Sequence, residues 1–259
     1  MTLRLLSVLL AAGAATTGAA RAETLAALVG DDTLAIVDTD ARKVDRTVKL
    51  SGLSGRLLGI DVRPADGMLY GVTADGAVVT IDTATGRASP KSKLDATLPP
   101  GVMATVDFNP AADRLRIIGS DGTNLRANVD DGKVTKDGSL KFAEGDAAKG
   151  RTPKVVAGAY TNSMKGAKET ALFDIDATGS VVKQAPPNDG VLNTVGALGM
   201  AAEAAAFDIL ADGSGGNTGW LMAGDTLYRV DLGTGKGTEA AKIAGVSGPV
   251  RDIAVLPKM

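Results

Sequence analysis

Ile81-Asp82-Thr83-Ala84-Thr85-Gly86 reads as a tight turn. An apolar residue ends a strand, Asp folds its carboxylate back onto turn N–H groups, and Gly takes the positive φ that closes the loop. The motif returns as Val37-Asp38-Thr39-Asp40, Val129-Asp130-Asp131-Gly132, Ile175-Asp176-Ala177-Thr178-Gly179 and Val230-Asp231-Leu232-Gly233-Thr234-Gly235. The five aspartates stand 44, 48, 46 and 55 residues apart. One such turn says little, but five at a period of about 40–50 residues mark an array of stacked units.

Between the turns the chain alternates as short strands. Leu58-Gly59-Ile60-Asp61-Val62 leads through Arg63-Pro64 to Met68–Val72, then Asp75-Gly76, then Ala77–Ile81. The next unit repeats the order with Val106-Asp107-Phe108-Asn109-Pro110, Arg114–Ile118, Asp121-Gly122 and Asn124–Val129. Strands of this length between Gly and Asp turns are the all-β pattern, and four of them per ~45 residues make a propeller blade. Val250–Leu256 resembles the opening strand of the other units with no unit after it, while Thr24–Val29 begins as if its opening strand were missing. Pairing the two would close a ring and remove the open edges. The reading is therefore an all-β propeller of about five four-stranded blades, closed by the C-terminal strand. Six blades are the alternative, because the stretch between Asp176 and Asp231 has room for an additional strand; a Gly-rich β-sandwich is the other all-β architecture.

The 259 residues include 33 Gly, no Cys and no His. Lacking His, the chain has no Ser-His-Asp or Cys-His catalysis and no His-ligated zinc or haem. Lacking Cys, it has no disulfide, iron–sulfur cluster or thiol nucleophile. At its head, Arg4, the uncharged apolar run Leu5–Ala15 and the small residues of Ala20-Arg21-Ala22 have the layout of a signal peptide cut before Glu23. Residues 1–22 are thus expected to be removed, leaving 23–259 as one domain that is periplasmic or secreted. No apolar run reaches the ~20 residues of a membrane span. Loss of Arg4 and Arg21 takes the basic count from 28 to 26 against 30 acidic residues, a formal charge of −4. No Lys/Arg block provides a footprint for nucleic acid.

Several stretches, taken in order, carry a likeness. Val106-Asp107-Phe108-Asn109-Pro110, Asp113-Arg114-Leu115-Arg116 and Asn124-Leu125-Arg126-Ala127-Asn128-Val129-Asp130 resemble the family catalogued as domain of unknown function 4394. So do Leu69-Tyr70-Gly71, Ala159-Tyr160-Thr161-Asn162 and Pro186-Pro187-Asn188-Asp189-Gly190. The resemblance spans essentially the whole mature chain. It implies an exported bacterial β-propeller-like protein, and it implies no activity. Ala127 stands where a bulkier apolar residue is expected after Arg126.

Three groups of residues are candidates for chemistry. Asp61, Asp107 and Asp208 occupy equivalent positions on three inner strands, with Ala159 and Ala254 at the other two and Asp252 nearby. Carboxylates converging on a channel suit a divalent metal such as calcium, or they accept backbone N–H groups between blades. Asn109, Arg114, Asn124, Arg126 and Asn128, with Arg116 among them, form a polar concentration, and strand alternation puts Asn124, Arg126 and Asn128 on one face. Such a face binds a ligand or pairs with neighbouring turns. The loops holding Tyr160 and Asn162, and Asn188 and Asp189, make the third group. Tyr70, Phe108, Phe207 and Trp220 lie in apolar strands and read as core. With no catalytic set visible, the expected function is an exported, non-catalytic, monomeric propeller that binds a small ligand or an envelope protein at one mouth. The alternatives are a metal-dependent, lactonase-like hydrolase built on the channel carboxylates and a purely structural envelope component.

Overall fold

The computed structural model describes residues 23–257, so the expected signal peptide lies outside the described residues. The chain opens with β1 (Thr24–Val29), β2 (Thr33–Asp38) and β3 (Lys43–Lys49). Next come β4 (Leu57–Val62), β5 (Leu69–Thr73), β6 (Ala77–Ile81) and β7 (Ala88–Lys93). They are followed by β8 (Ala104–Asn109), β9 (Arg114–Gly119), β10 (Asn124–Ala127), β11 (Val134–Lys136) and β12 (Lys141–Phe142). After these run β13 (Val155–Tyr160), β14 (Leu172–Asp176), β15 (Ser180–Gln184) and β16 (Val191–Ala197). The last five are β17 (Ala205–Ala211), β18 (Asn217–Ala223), β19 (Thr226–Val230), β20 (Gly237–Lys242) and β21 (Val250–Val255). Among the described residues the one helical element is the 3-10 turn Pro187–Asp189, and no helix is long and apolar enough to cross a membrane.

The strands form five antiparallel four-stranded sheets, a five-bladed propeller. Blade 1 is β21-β1-β2-β3, blade 2 β4–β7, blade 3 β8–β11, blade 4 β13–β16 and blade 5 β17–β20. The ring closes as the sequence implies: Leu25 lies opposite Val255, Ala26 opposite Ala254 and Ala27 opposite Ile253. Blade 4 does gain an additional strand, but from upstream of the blade. β12 runs parallel to β16, with Lys141 opposite Val191 and Phe142 opposite Leu192.

Apolar content decides the radial order of strands. Inner strands such as Leu57-Leu58-Gly59-Ile60-Asp61-Val62 are buried on both faces, because both pack on neighbouring blades. Outer strands such as Lys43-Val44-Asp45-Arg46-Thr47-Val48-Lys49 are largely exposed and correspondingly charged. The core is divided among the junctions. Ile36 and Leu57 pack between blades 1 and 2, Tyr70 and Phe108 between 2 and 3, Ile118 and Leu172 between 3 and 4. Ile175 and Phe207 fill the junction of blades 4 and 5, and Leu25 and Trp220 that of 5 and 1.

The repeated turn joins the third and fourth strands of a blade. Asp38, Asp82 and Asp231 each accept two turn N–H groups through Oδ1. Blade 3 corrects the sequence alignment by two residues: Asn128, not Asp130, starts the turn, accepting Asp130 N–H and, on its carbonyl, Gly132 N–H. Blade 4 departs further, since Asp176 caps the turn between its second and third strands, β14 and β15. Gly132 shows why these turns need glycine. Its φ is +76°, and a Cβ there would lie 2.0 Å from the Lys93 carbonyl oxygen of blade 2. Gly132→Ala should therefore lower stability by about 2–3 kcal/mol, combining left-handed strain with a displaced blade contact. An unchanged urea midpoint would contradict this.

Candidate functional site

The inner-strand aspartates converge on the channel and serve first as links between blades. Asp61 Oδ2 accepts the Phe108 N–H of blade 3 at 2.6 Å, Asp107 Oδ1 the Tyr160 N–H of blade 4 at 3.0 Å, and Asp208 Oδ2 the Val255 N–H of blade 1 at 2.6 Å. Ala254 removes this acceptor from blade 1, and Asp252 substitutes for it two residues earlier by accepting Ile60 N–H from blade 2. Ala159 removes it from blade 4, where the link towards blade 5 is made instead by the Asn162 N–H, which donates to Asn217 Oδ1 at 2.7 Å. Thus the reading of these carboxylates as acceptors between blades describes all three.

Their packing also makes them electrostatically unusual. Asp61, Asp107 and Asp208 offer one oxygen each within 4.8 Å of one another, and all are buried. Burial pushes the Asp208 carboxyl up to about 6. Burial, followed by the charge of Asp208, raises Asp61, and burial with the charges of Asp61 and Asp208 raises Asp107. Asp252 is raised by burial foremost. Like charges this close resist ionising together, so a cationic guest would be taken up with release of protons.

A cavity of about 650 Å³ opens at this end of the channel. Asp61 and Asp208 line it, between apolar walls that include Val62, Ile209, Leu210 and Leu256, with Met164 at its edge. Gly67, Leu256 and Pro257 separate it from a second groove of about 820 Å³ between blades 1 and 2.

The polar residues of blade 3 divide. Arg116, buried on β9, is the centre of one group. Its Nε donates to Tyr160 Oη at 3.1 Å, Nη1 to Asn124 Oδ1 at 2.8 Å and Asp137 Oδ2 at 2.5 Å, and Nη2 to Asn188 Oδ1 at 2.8 Å. Arg126 holds Asp137 from the other side through Nε and Nη2. Burial opposes ionisation of Asp137, yet bonds from Arg126 and Arg116 outweigh it and hold the carboxyl below its usual range. Asn124 donates onward to the Gly138 and Pro187 carbonyls. Asn124, Arg126, Tyr160 and Asn188 are therefore joined, across the junction of blades 3 and 4, as a packed lock.

The remaining candidates fall elsewhere. Asn109 accepts Ala111 and Ala112 N–H and caps its own turn, Arg114 donates to the Ala112 and Asp113 carbonyls, and Asn128 is a turn residue beyond β10. The expected shared face of Asn124, Arg126 and Asn128 therefore ends at Arg126, because the strand stops at Ala127. Asn162 pairs with Asn217 of blade 5. Asp189 is exposed in the 3-10 turn. Sequence reasoning passed over a further knot, in which Arg63 donates to Asp113, Asp130 and Tyr70 at the junction of blades 2 and 3. The available signal was Arg63-Pro64 directly after an inner strand, opposite the acidic turn of the next unit.

The model of the family described as Domain of unknown function (DUF4394) matches residues 33–254. The chain belongs to this family. None of the curated proteins matches it. Among solved structures, this DUF4394 chain is similar to a structural genomics protein of unknown function from Bacteroides thetaiotaomicron VPI-5482. The two are 18% identical with a TM-score of 0.52, over 92% of this chain and 65% of that one. It is also similar to a protein of unknown function from Bacteroides caccae, at 13% identity and a TM-score of 0.47, over 92% of this chain and all (100%) of that one. The first likeness shows the fold shared by this DUF4394 chain and nothing of its ligands.

Proposed function

We propose that the protein is an exported, non-catalytic binding propeller whose channel mouth takes a small ligand through a cationic group. The observation that carries this reading is the mouth cavity, with apolar walls and two carboxylates, Asp61 and Asp208, on its floor. Ligand sites have this character, with apolar walls and a few convergent polar groups. The guest supplies positive charge as an organic ammonium or as a divalent ion such as calcium. What supports binding over hydrolysis is that both oxygens of Asp61 and both of Asp208 already accept backbone N–H groups. Neither carboxylate is set up as a free base for water.

A melting-temperature screen tests the proposal, using a panel of primary amines and, separately, calcium, magnesium and manganese after EDTA. At a hundredfold excess over its dissociation constant, a true ligand adds about 2.7 kcal/mol, which is about 5–10 °C for a domain of this size. Asp208→Asn should abolish that increment while melting as a single transition. A response to amines alone identifies an organic guest, and a response to one ion alone identifies a metal. Silence across both panels, or a shift that survives Asp208→Asn, would overturn the reading.

A further inference from the structure

A second feature lies at the outer part of the junction between blades 5 and 1, sharing no lining residue with the mouth. In four blades the fifth residue of the repeated turn has a left-handed backbone. In three of them it is Gly, namely Gly86, Gly132 and Gly235, at φ +74°, +76° and +74°. In blade 1 it is Arg42, at φ +55°. The turn is otherwise equivalent: the Arg42 carbonyl accepts Ala244 N–H from blade 5 as the Gly86 carbonyl accepts Ser51 N–H from blade 1. An L-residue adopts this conformation at a cost that Gly avoids.

Arg42 lines a cavity of about 410 Å³ together with Trp220 and Arg229. The Arg229 guanidinium carbon sits 4.8 Å above the Trp220 ring. Neither Arg42 nor Arg229 has an ion pair or side-chain hydrogen bond among the described residues, whereas Arg63, Arg116, Arg126, Arg151 and Arg251 are all paired. Trp220 is only 4% exposed, and its indole N–H is buried without an acceptor. A buried donor without an acceptor is uncommon and calls for a partner. Asp40 also lines the cleft, outside ion-pair distance of either arginine, which leaves one net positive charge there.

We infer that this cleft binds a small molecule through a single oxyanion group, carboxylate or phosphate. The two guanidinium forks donate to its oxygens, and the indole–guanidinium stack forms the wall. Arg42 occupies the glycine position because its side chain is needed there.

Trp220 is the single tryptophan of the chain, so its emission reports directly on the cleft. The full chain is titrated with inorganic phosphate and, separately, acetate, against chloride at matched ionic strength. A saturable change with one or both oxyanions and none with chloride is the expected result, and the stronger of the two names the anion class. Arg42→Gly restores the residue of the other blades, so the fold is retained; it should weaken binding about tenfold or more. Arg229→Gln should do the same, and Asp40→Asn should tighten binding a few-fold. The absence of a saturable change, an equal response to chloride, or unaltered affinity in Arg42→Gly would overturn the inference.

Discussion

Asp174→Asn should make the protein more stable at pH 8 than the wild type, and equal to it near pH 4. Asp174 lies on β14 with no exposure, and neither of its carboxylate oxygens has a hydrogen-bond partner. Its side chain occupies the space over Gly158 of β13, where a Cβ would lie 2.3 Å from Oδ1. Burial, opposed by the charge of Arg116, raises its carboxyl from the ordinary 3.8 to about 8. Between those values the folded protein holds a proton that the unfolded chain has released. Stability therefore falls as pH rises from about 4 and levels off above about 8. At about 1.36 kcal/mol for each pH unit, the loss approaches about 6 kcal/mol. The neutral Asn side chain removes this contribution and leaves those of Asp61, Asp107, Asp208 and Asp252 in place. Denaturant unfolding from pH 4 to 9 measures the difference, and parallel pH profiles for the two proteins would refute the assignment.

The location of this buried acid explains what the sequence could and could not show. Turn chemistry and strand alternation are local, so Asp82-Thr83-Ala84-Thr85-Gly86 and its repeats revealed the blades, and the unmatched Val250–Leu256 revealed the closure. The same locality misplaced blade 4. An Asp turn closed by Gly looks much alike whichever two strands it joins, although Gly follows Asp176 by three positions and Asp82 by four; Asp176 joins β14 to β15 while Asp82 joins β6 to β7. The position of the repeated turn in blade 4 is taken by the loop carrying Asn188, which reaches across to Arg116. Partners of that kind depend on contacts between units, and a repeat period does not encode them. Trp220 was rightly read as core, but its cleft depends on Arg42, 178 positions earlier in the chain. The inner aspartates were legible as a set; their acceptor role became visible only once each was placed beside the next blade's N–H.

Arg116→Met should cost about 3–5 kcal/mol, whereas Arg126→Ala should cost about 1 kcal/mol or less. Both arginines hold Asp137, so charge counting alone gives them equal weight. Burial separates them: the Arg116 side chain is 2% exposed and that of Arg126 is 32% exposed. Truncating Arg116 leaves a buried carboxylate with a half-exposed partner and strips donors from Tyr160 Oη, Asn124 and Asn188 together. Losing Arg126 leaves Asp137 still bonded to Arg116. Met keeps the apolar stem of the side chain, so the loss reflects the guanidinium. The effect should be largest at this junction because its apolar core is interrupted by Arg116, Asn124, Asp174 and Gln184, all buried. Among the described residues the junction of blades 4 and 5 has the Asn162–Asn217 pair but no ion pair, and it rests on packing around Phe207, Ile175 and Leu221. Phe207→Ala should accordingly equal Arg116→Met in cost, at about 3–5 kcal/mol. Guanidinium unfolding of the three variants decides the matter. If Arg116→Met and Arg126→Ala shift the midpoint equally, the lock is a surface feature, and the stability of blade 4 comes from its apolar faces alone.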